Sequence, residues 1–212
     1  MITLVGGQKG GAGKTTIAVN LACFAAADGA DLVFVDTDLQ RTAAQFFALR
    51  HESEQEPRVP CIEKRGKTLG RELQDLAKRY ALVMVDAGGR DSMELRYALG
   101  AADEIYIPVL PAQADLWTLD TMSELIGEAG AFNPDLAAYV VLNRCSTNVR
   151  NTDSRDAREV LSGYDNLSPL ETELKERVVY QRIFRTGNSV SEFDPHDAAA
   201  REMQNLYEEI YY

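Results

Sequence analysis

The sequence predicts an α/β fold, a mainly parallel twisted sheet flanked by helices on both faces. Three observations predict it. Short, continuous apolar runs recur along the chain, the mark of strands buried on both sides. Longer segments with apolar residues at helical spacing separate them. No internal repeat, low-complexity tract or linker interrupts the alternation, so residues 1–212 are expected to form one domain.

Each element has its own reason. ITLVG (2–6) is a continuous apolar run and reads as a buried strand. After a glycine-rich turn, residues 14–28 place Ile17, Leu21, Phe24 and Ala25 at helical spacing, and Gly29 supplies the stop. LVFVD (32–36) is a second buried strand, followed by a helical segment over 41–50 with Ala44, Phe47 and Ala48 on one face. HESEQEPRVP (51–60) is polar with two prolines and reads as a loop. VPCIE is a short strand, and residues 68–79 carry Leu69, Leu73 and Leu76 as a helical stripe. ALVMVD (81–86) and EIYIPVL (104–110) are further buried strands, the second irregular at Pro108. A helix is expected over 115–130, a strand at AAYVVLN (137–143), and a charged stretch over 146–160 that turns helical toward its end. Residues 167–174 read as an edge strand. The tail from Asp194 reads as a helix with Pro195 in its first turn and Met203, Leu206 and Ile210 facing inward.

Composition excludes several classes. Hydrophobic residues make up 45% and charged residues 26%, proportions that support a packed core rather than disorder. No apolar run approaches the ~20 residues of a membrane span, and the N-terminus lacks the layout of a signal peptide. With 22 Lys and Arg against 33 Asp and Glu, the net charge is −11, which repels nucleic acid and anionic lipid on average. Cys23, Cys61 and Cys145 are odd in number and far apart, which fits a reducing cytoplasm rather than a disulfide framework or zinc site.

The stretch GGQKGGAGKTT (6–16) lies between a buried strand and a helix, the context a phosphate-binding P-loop requires. Gly10, Gly11 and Gly13 let backbone amides turn inward with no Cβ in the way. Ala12 and Thr16 complete the turn, and the helix N-terminus adds its partial positive charge. Lys14 then reaches β- and γ-phosphates, and the Thr15 hydroxyl is a ligand for Mg²⁺. These features imply a nucleoside triphosphate and Mg²⁺ as cofactors, and the resemblance described next makes the nucleotide ATP.

With Lys9, the stretch KGGAGKTT resembles the deviant Walker A motif of the ParA/MinD family of P-loop ATPases. The resemblance implies that Lys9 reaches across a nucleotide-sandwich homodimer to the partner's phosphates, acting as an arginine finger does. It implies that Asp38, in FVDTDLQ, orients the attacking water and joins the Mg²⁺ shell, with Gln40 in its usual place and Leu39 replacing a proline. It makes Asp86 the Walker B carboxylate, holding Mg²⁺ through water. The chain departs from the proline-rich continuation here, reading DAGGRD, with Gly88 and Gly89 as a permissive turn. Asn143 falls where relatives contact the adenine base, with Arg144 beside it. YQRIFRTGNSVSEFDP (180–195) is similar to the C-terminal segment of short ParA-type proteins.

Within that family, the first strand at Ile2 leaves no room for an N-terminal helix-turn-helix. The tail REMQNLYEEIYY is too acidic for a membrane helix, and no cysteine between Asp86 and Cys145 fits an iron–sulfur cluster. The closest resemblance is to short ParF-type plasmid partition ATPases. It implies a slow, Mg-dependent ATPase that dimerises with ATP, or assembles further, and is stimulated by a centromere-binding or adaptor protein. Non-specific DNA is a further implied partner; its candidate contacts are the basic cluster Lys175, Arg177, Arg182 and Arg185, in which acidic residues are interleaved. The alternatives are a positioning ATPase for conjugation machinery or other non-DNA cargo, a P-loop small-molecule kinase or ligase, and a module that binds ATP without useful hydrolysis.

Overall fold

Parallel pairing throughout the sheet follows from the alternation of strand and helix. The computed structural model describes residues 1–89 and 92–212, so Arg90 and Asp91 of DAGGRD lie outside the described residues. In chain order the main elements are β1 (Ile2–Val5), α1 (Lys14–Ala27), β2 (Leu32–Asp36), α2 (Thr42–Glu52), β3 (Cys61–Glu63) and α3 (Leu69–Ala77). There follow β4 (Leu82–Asp86), α4 (Met93–Leu99), β5 (Glu104–Val109), α5 (Gln113–Leu116), α6 (Thr118–Gly130), β6 (Ala137–Leu142) and α7 (Asp153–Leu161). The chain closes with β7 (Ser168–Pro169), α8 (Val179–Arg182), a 3₁₀ turn (Ile183–Arg185), α9 (Val190–Phe193) and α10 (Ala198–Tyr211). The strand order is β3-β2-β4-β1-β5-β6-β7, and every pairing is parallel.

Successive strand residues point to opposite faces, and the core divides accordingly. Leu4, Val33, Val35, Val83, Val85, Ile105 and Ile107 pack on one face with α3, α4 and α6. Val5, Phe34, Met84, Tyr106 and Val141 pack on the other with α1, α2 and α10. Continuous burial of β1, β2 and β4 explains why these strands read as unbroken apolar runs.

The structure departs from the sequence expectations in four places. The buried face of α2 is Ala43, Phe46, Phe47 and Arg50; of the expected Ala44, Phe47 and Ala48, Phe47 alone is buried. Arg50 is fully buried, because Nη1 and Nη2 each donate to the Glu192 carboxylate at 2.7 Å, Nη1 donates also to the Gly187 carbonyl, and Nε and Nη2 donate to the Pro57 carbonyl. The expected 167–174 strand contracts to Ser168–Pro169, since Pro169 cannot donate to the ladder; Leu170 and Leu174 amides still bond to the Val140 and Leu142 carbonyls of β6. The last helix begins at Ala198, where the Asp197 side chain accepts the Ala199 amide at 2.8 Å, so Pro195 precedes the helix rather than opening it. Short helices α4, α8 and α9 occupy stretches with too few turns to show a period. No helix among the described residues is long and apolar enough to cross a membrane.

Candidate functional site

The carboxyl ends of β1, β2 and β4 meet at one edge of the sheet, and the loops that leave them form the site. The loop after β1 enters α1 through Gly11 and Gly13, at φ 78° and 94°, a left-handed backbone that favours glycine. The loop's carbonyls accept several hydrogen bonds. Lys14 Nζ donates to Lys9 O at 2.8 Å, and Asn143 Nδ2 donates to Ala12 O at 2.7 Å. Arg144 Nη1 reaches Gly11 O at 3.5 Å, and Ile17 N closes on Gly13 O at 3.0 Å. Among the described residues, the amides of Lys9 through Gly13 meet no protein acceptor. Open space lies where a Cβ on Gly10 or Gly11 would stand. A nest of free amides at the mouth of a 14-residue helix is what a phosphate group fits.

Gly13 is tied to Asn143. A Cβ there would run into the Asn143 amide, besides holding a left-handed backbone that costs an alanine about 1–2 kcal/mol. Gly13→Ala is therefore expected to dislodge Asn143 from Ala12 O, lower stability by about 2–3 kcal/mol and remove stabilisation by Mg-ATP. Thermal melts with and without nucleotide check this.

Three aspartates stand at the neighbouring strand ends. Asp36 and Asp86 are register partners across β2 and β4, and both are buried. Asp36 accepts the Asp38 and Ala44 amides, each at 2.9 Å, so it shapes the D-x-D turn and caps α2. Asp38 stands half-buried with Oδ1 on the Gln40 amide at 2.9 Å. Arg65 clamps the same turn from outside, donating to Thr37 O at 3.2 Å and Asp38 O at 2.6 Å. Gly88 and Gly89 lie against this assembly, where added Cβ atoms would stand 3.5 Å from Asp38 Cγ and 3.0 Å from Lys14 Nζ.

Both carboxylate oxygens of Asp86 are buried, and among the described residues neither closes a hydrogen bond, although the Thr15 hydroxyl lies near enough to act on the group. Burial pushes its carboxyl up to about 7, against the opposing pull of the Thr15 hydroxyl and the Lys14 ammonium nearby. Burial likewise lowers Lys14, with Asp86 and Asp38 acting against it. An unsatisfied buried carboxylate beside a lysine and a threonine hydroxyl is a set of hard oxygen donors short of a cation. Among the described residues no three acidic, His or Cys side chains converge on a metal cage. Thr15, Asp38 and Asp86 suit Mg²⁺, which draws most of its ligands from phosphate and water.

A cleft lined by Gly13, Thr16, Asn143, Arg177, Tyr180 and Gln181 continues from the loop. Asn143 lines it, but its Oδ1 takes the Arg144 amide at 2.9 Å and its Nδ2 braces the loop, leaving one amide hydrogen for a base. Tyr180 and Gln181 open the 180–195 segment noted in the sequence, whereas Arg177, expected only as a DNA contact, also stands in this wall. Lys9 lies outside the cradle, its ammonium 3.0 Å from Asp115. The structure divides the basic cluster. Lys175 is held by Glu173 at 2.7 Å and Arg177 by Glu202 at 2.5 Å, whereas Arg182 and Arg185 are exposed without ion pairs among the described residues.

Free amides over a helix mouth, with an invading lysine and a cation-poor carboxylate, put this molecule among the P-loop nucleotide-binding proteins. The family model described as the CobQ/CobB/MinD/ParA nucleotide binding domain matches residues 3–184, and the chain belongs to that family. Maintenance of carboxysome distribution protein A from Halothiobacillus neapolitanus is 29% identical over 97% of this chain and 94% of that protein. Protein ParA from Rhizobium radiobacter is 26% identical over 89% of this chain and 84% of that protein. Among solved structures, apo McdA from Cyanothece superposes with a TM-score of 0.80 at 17% identity, covering 99% of this chain and 98% of that one, a likeness of fold.

Proposed function

We propose that the chain is an ATP-driven switch for partition or cargo positioning, in which two copies close over two nucleotides and hydrolysis reopens them. The observation that carries the reading is the placement of the two loop lysines. Lys14 bonds to Lys9 O within its own cradle, while the Lys9 ammonium is engaged by Asp115 at 3.0 Å. A lysine with no task in its own cradle is free to serve another copy's.

Support also comes from the rim. Leu39, Met93, Trp117 and Val149 are 80%, 52%, 66% and 98% exposed, and each follows the carboxyl end of a strand that opens onto the site edge. An apolar rim around a charged cradle is the arrangement a second copy would cover. In the closed state Thr15, Asp38 and Asp86 would hold Mg²⁺, which would supply a Lewis acid at the phosphates. Lys14 neutralises the phosphates in its own copy, and Asp38 orients the nucleophile. The two relatives described above match over most of their length, and one is named for carboxysome distribution, which supports a macromolecular cargo. Any DNA contact falls to Arg182 and Arg185, the cations of the basic cluster that no carboxylate neutralises.

Turnover per molecule is expected to rise steeply with protein concentration at saturating Mg-ATP, with a Lys9→Ala variant slow at every concentration. Steady-state phosphate release across a dilution series checks it. Strictly proportional activity, with wild type monomeric by sedimentation in a non-hydrolysable analogue, would overturn the switch.

A further inference from the structure

We propose that Asp115 is a positioning residue for Lys9: it parks the ammonium while the molecule is single and sets the threshold for pairing. The inference rests on the switch reading above and adds the element that restrains it.

The contact is lopsided in a way that matters. Lys9 Nζ and Asp115 Oδ2 are 3.0 Å apart, with the lysine side chain 42% exposed and the aspartate 7%. Oδ1 of Asp115 is buried and, among the described residues, has no hydrogen-bond partner, and Lys9 is the one side chain among them that balances this carboxylate. The backbone fixes the carboxylate in place. Asp115 N donates to Ala112 O at 2.8 Å and the Thr118 hydroxyl donates to Asp115 O at 2.6 Å, which locks the turn from α5 into α6. When Lys9 leaves, a buried anion loses its one counter-charge, and that penalty opposes departure. Departure is also coupled to the cradle, because the carbonyl of Lys9 is the acceptor for Lys14. Once Lys14 turns to phosphate, residue 9 is released at its backbone and only Asp115 restrains it. Lys9 cannot neutralise its own Asp115 and a partner's phosphates together, so the unpaired and paired states compete for one ammonium.

Asp115→Asn keeps the side-chain size and removes the charge. In sedimentation with Mg²⁺ and a non-hydrolysable ATP analogue, its midpoint concentration for pairing should fall at least tenfold below wild type. Basal turnover at dilute protein should rise with it, and Lys9→Ala in the same background should erase both gains. Unchanged or weaker pairing by Asp115→Asn, in conditions where wild type pairs and Lys9→Ala does not, overturns the inference and leaves the switch standing. Equal pairing by wild type and Lys9→Ala instead overturns the switch itself. An independent arm needs no variant. In nucleotide-free wild type, acylation of lysine amines followed by mass spectrometry should label Lys9 several-fold more slowly than exposed Lys67, and equal labelling would refute the parking contact.

Discussion

Replacing Asp38 with alanine is expected to lower ATP turnover by about two to three orders of magnitude while leaving the nucleotide bound and the paired state long-lived. The expectation comes from how the D-x-D turn is built. Asp36 carries the structural duty, accepting the Asp38 and Ala44 amides from beneath, and Arg65 holds the Thr37 and Asp38 carbonyls from outside. Asp38 itself loses only its bond to the exposed Gln40 amide when truncated, a cost within about 1 kcal/mol. The fold should therefore survive and the melting temperature stay within a few degrees of wild type. What disappears is a half-buried carboxylate near Lys14, the group we propose orients the nucleophile. Rapid-quench turnover together with gel filtration in ATP separates the effects: the variant should elute as a pair in ATP and stay paired after wild type has dissociated. Normal turnover would return Asp38 to a purely local role in the turn. Asp36→Ala should behave differently, losing stability because the cap of α2 goes with it.

The division between Asp36 and Asp38 shows what a linear reading can and cannot supply. The phosphate loop was legible because its chemistry is local: glycines, Lys14 and Thr15 are close neighbours between a strand and a helix. The sheet was legible for a similar reason, since strands buried on both faces leave unbroken apolar runs. Contacts that regulate the site were not. Lys9 meets Asp115 across 106 positions and Arg50 meets Glu192 across 142, and neither pairing leaves a periodic trace. Arg50 even disguised the buried face of α2, because a charge satisfied by a distant carboxylate sits where an apolar residue is expected. The basic cluster misled in the opposite direction. Its nearest-neighbour composition suggested a patch, but Arg177 is claimed by Glu202 on α10 and only two of its four cations stay free. Gly88 and Gly89 read as slack in the chain, yet they are where Asp38 and Lys14 approach the β4 loop.

Asp86→Asn is expected to invert the usual consequence of a site mutation, strengthening the nucleotide-free protein and abolishing its response to Mg-ATP. In wild type, burial raises the carboxyl from its ordinary value of 3.8 to about 7. Between those values the folded chain keeps a proton that the unfolded chain has released, so this group's contribution to stability falls as pH rises through the window. Asparagine has no proton to lose. The stability of the variant relative to wild type should be level below pH ~4, climb between about 4 and 7, and level off above, with an amplitude of at most about 4 kcal/mol. Denaturant melts at a series of pH values measure that difference directly, and a flat difference would mean the carboxylate is already satisfied. Cation loading has the opposite sign, because it requires the ionised form. Mg²⁺-dependent nucleotide affinity in wild type should increase about tenfold per pH unit below 7 and flatten above it, with a proton released on binding. At a hundredfold excess over the dissociation constant, Mg-ATP should raise the melting temperature of wild type by roughly 5–10 °C and that of Asp86→Asn hardly at all. The two halves belong together: the same missing partners that make Asp86 costly when the cradle is bare make it a strong ligand when the cradle is loaded, so nucleotide binding relieves a strain the fold has kept in place for it.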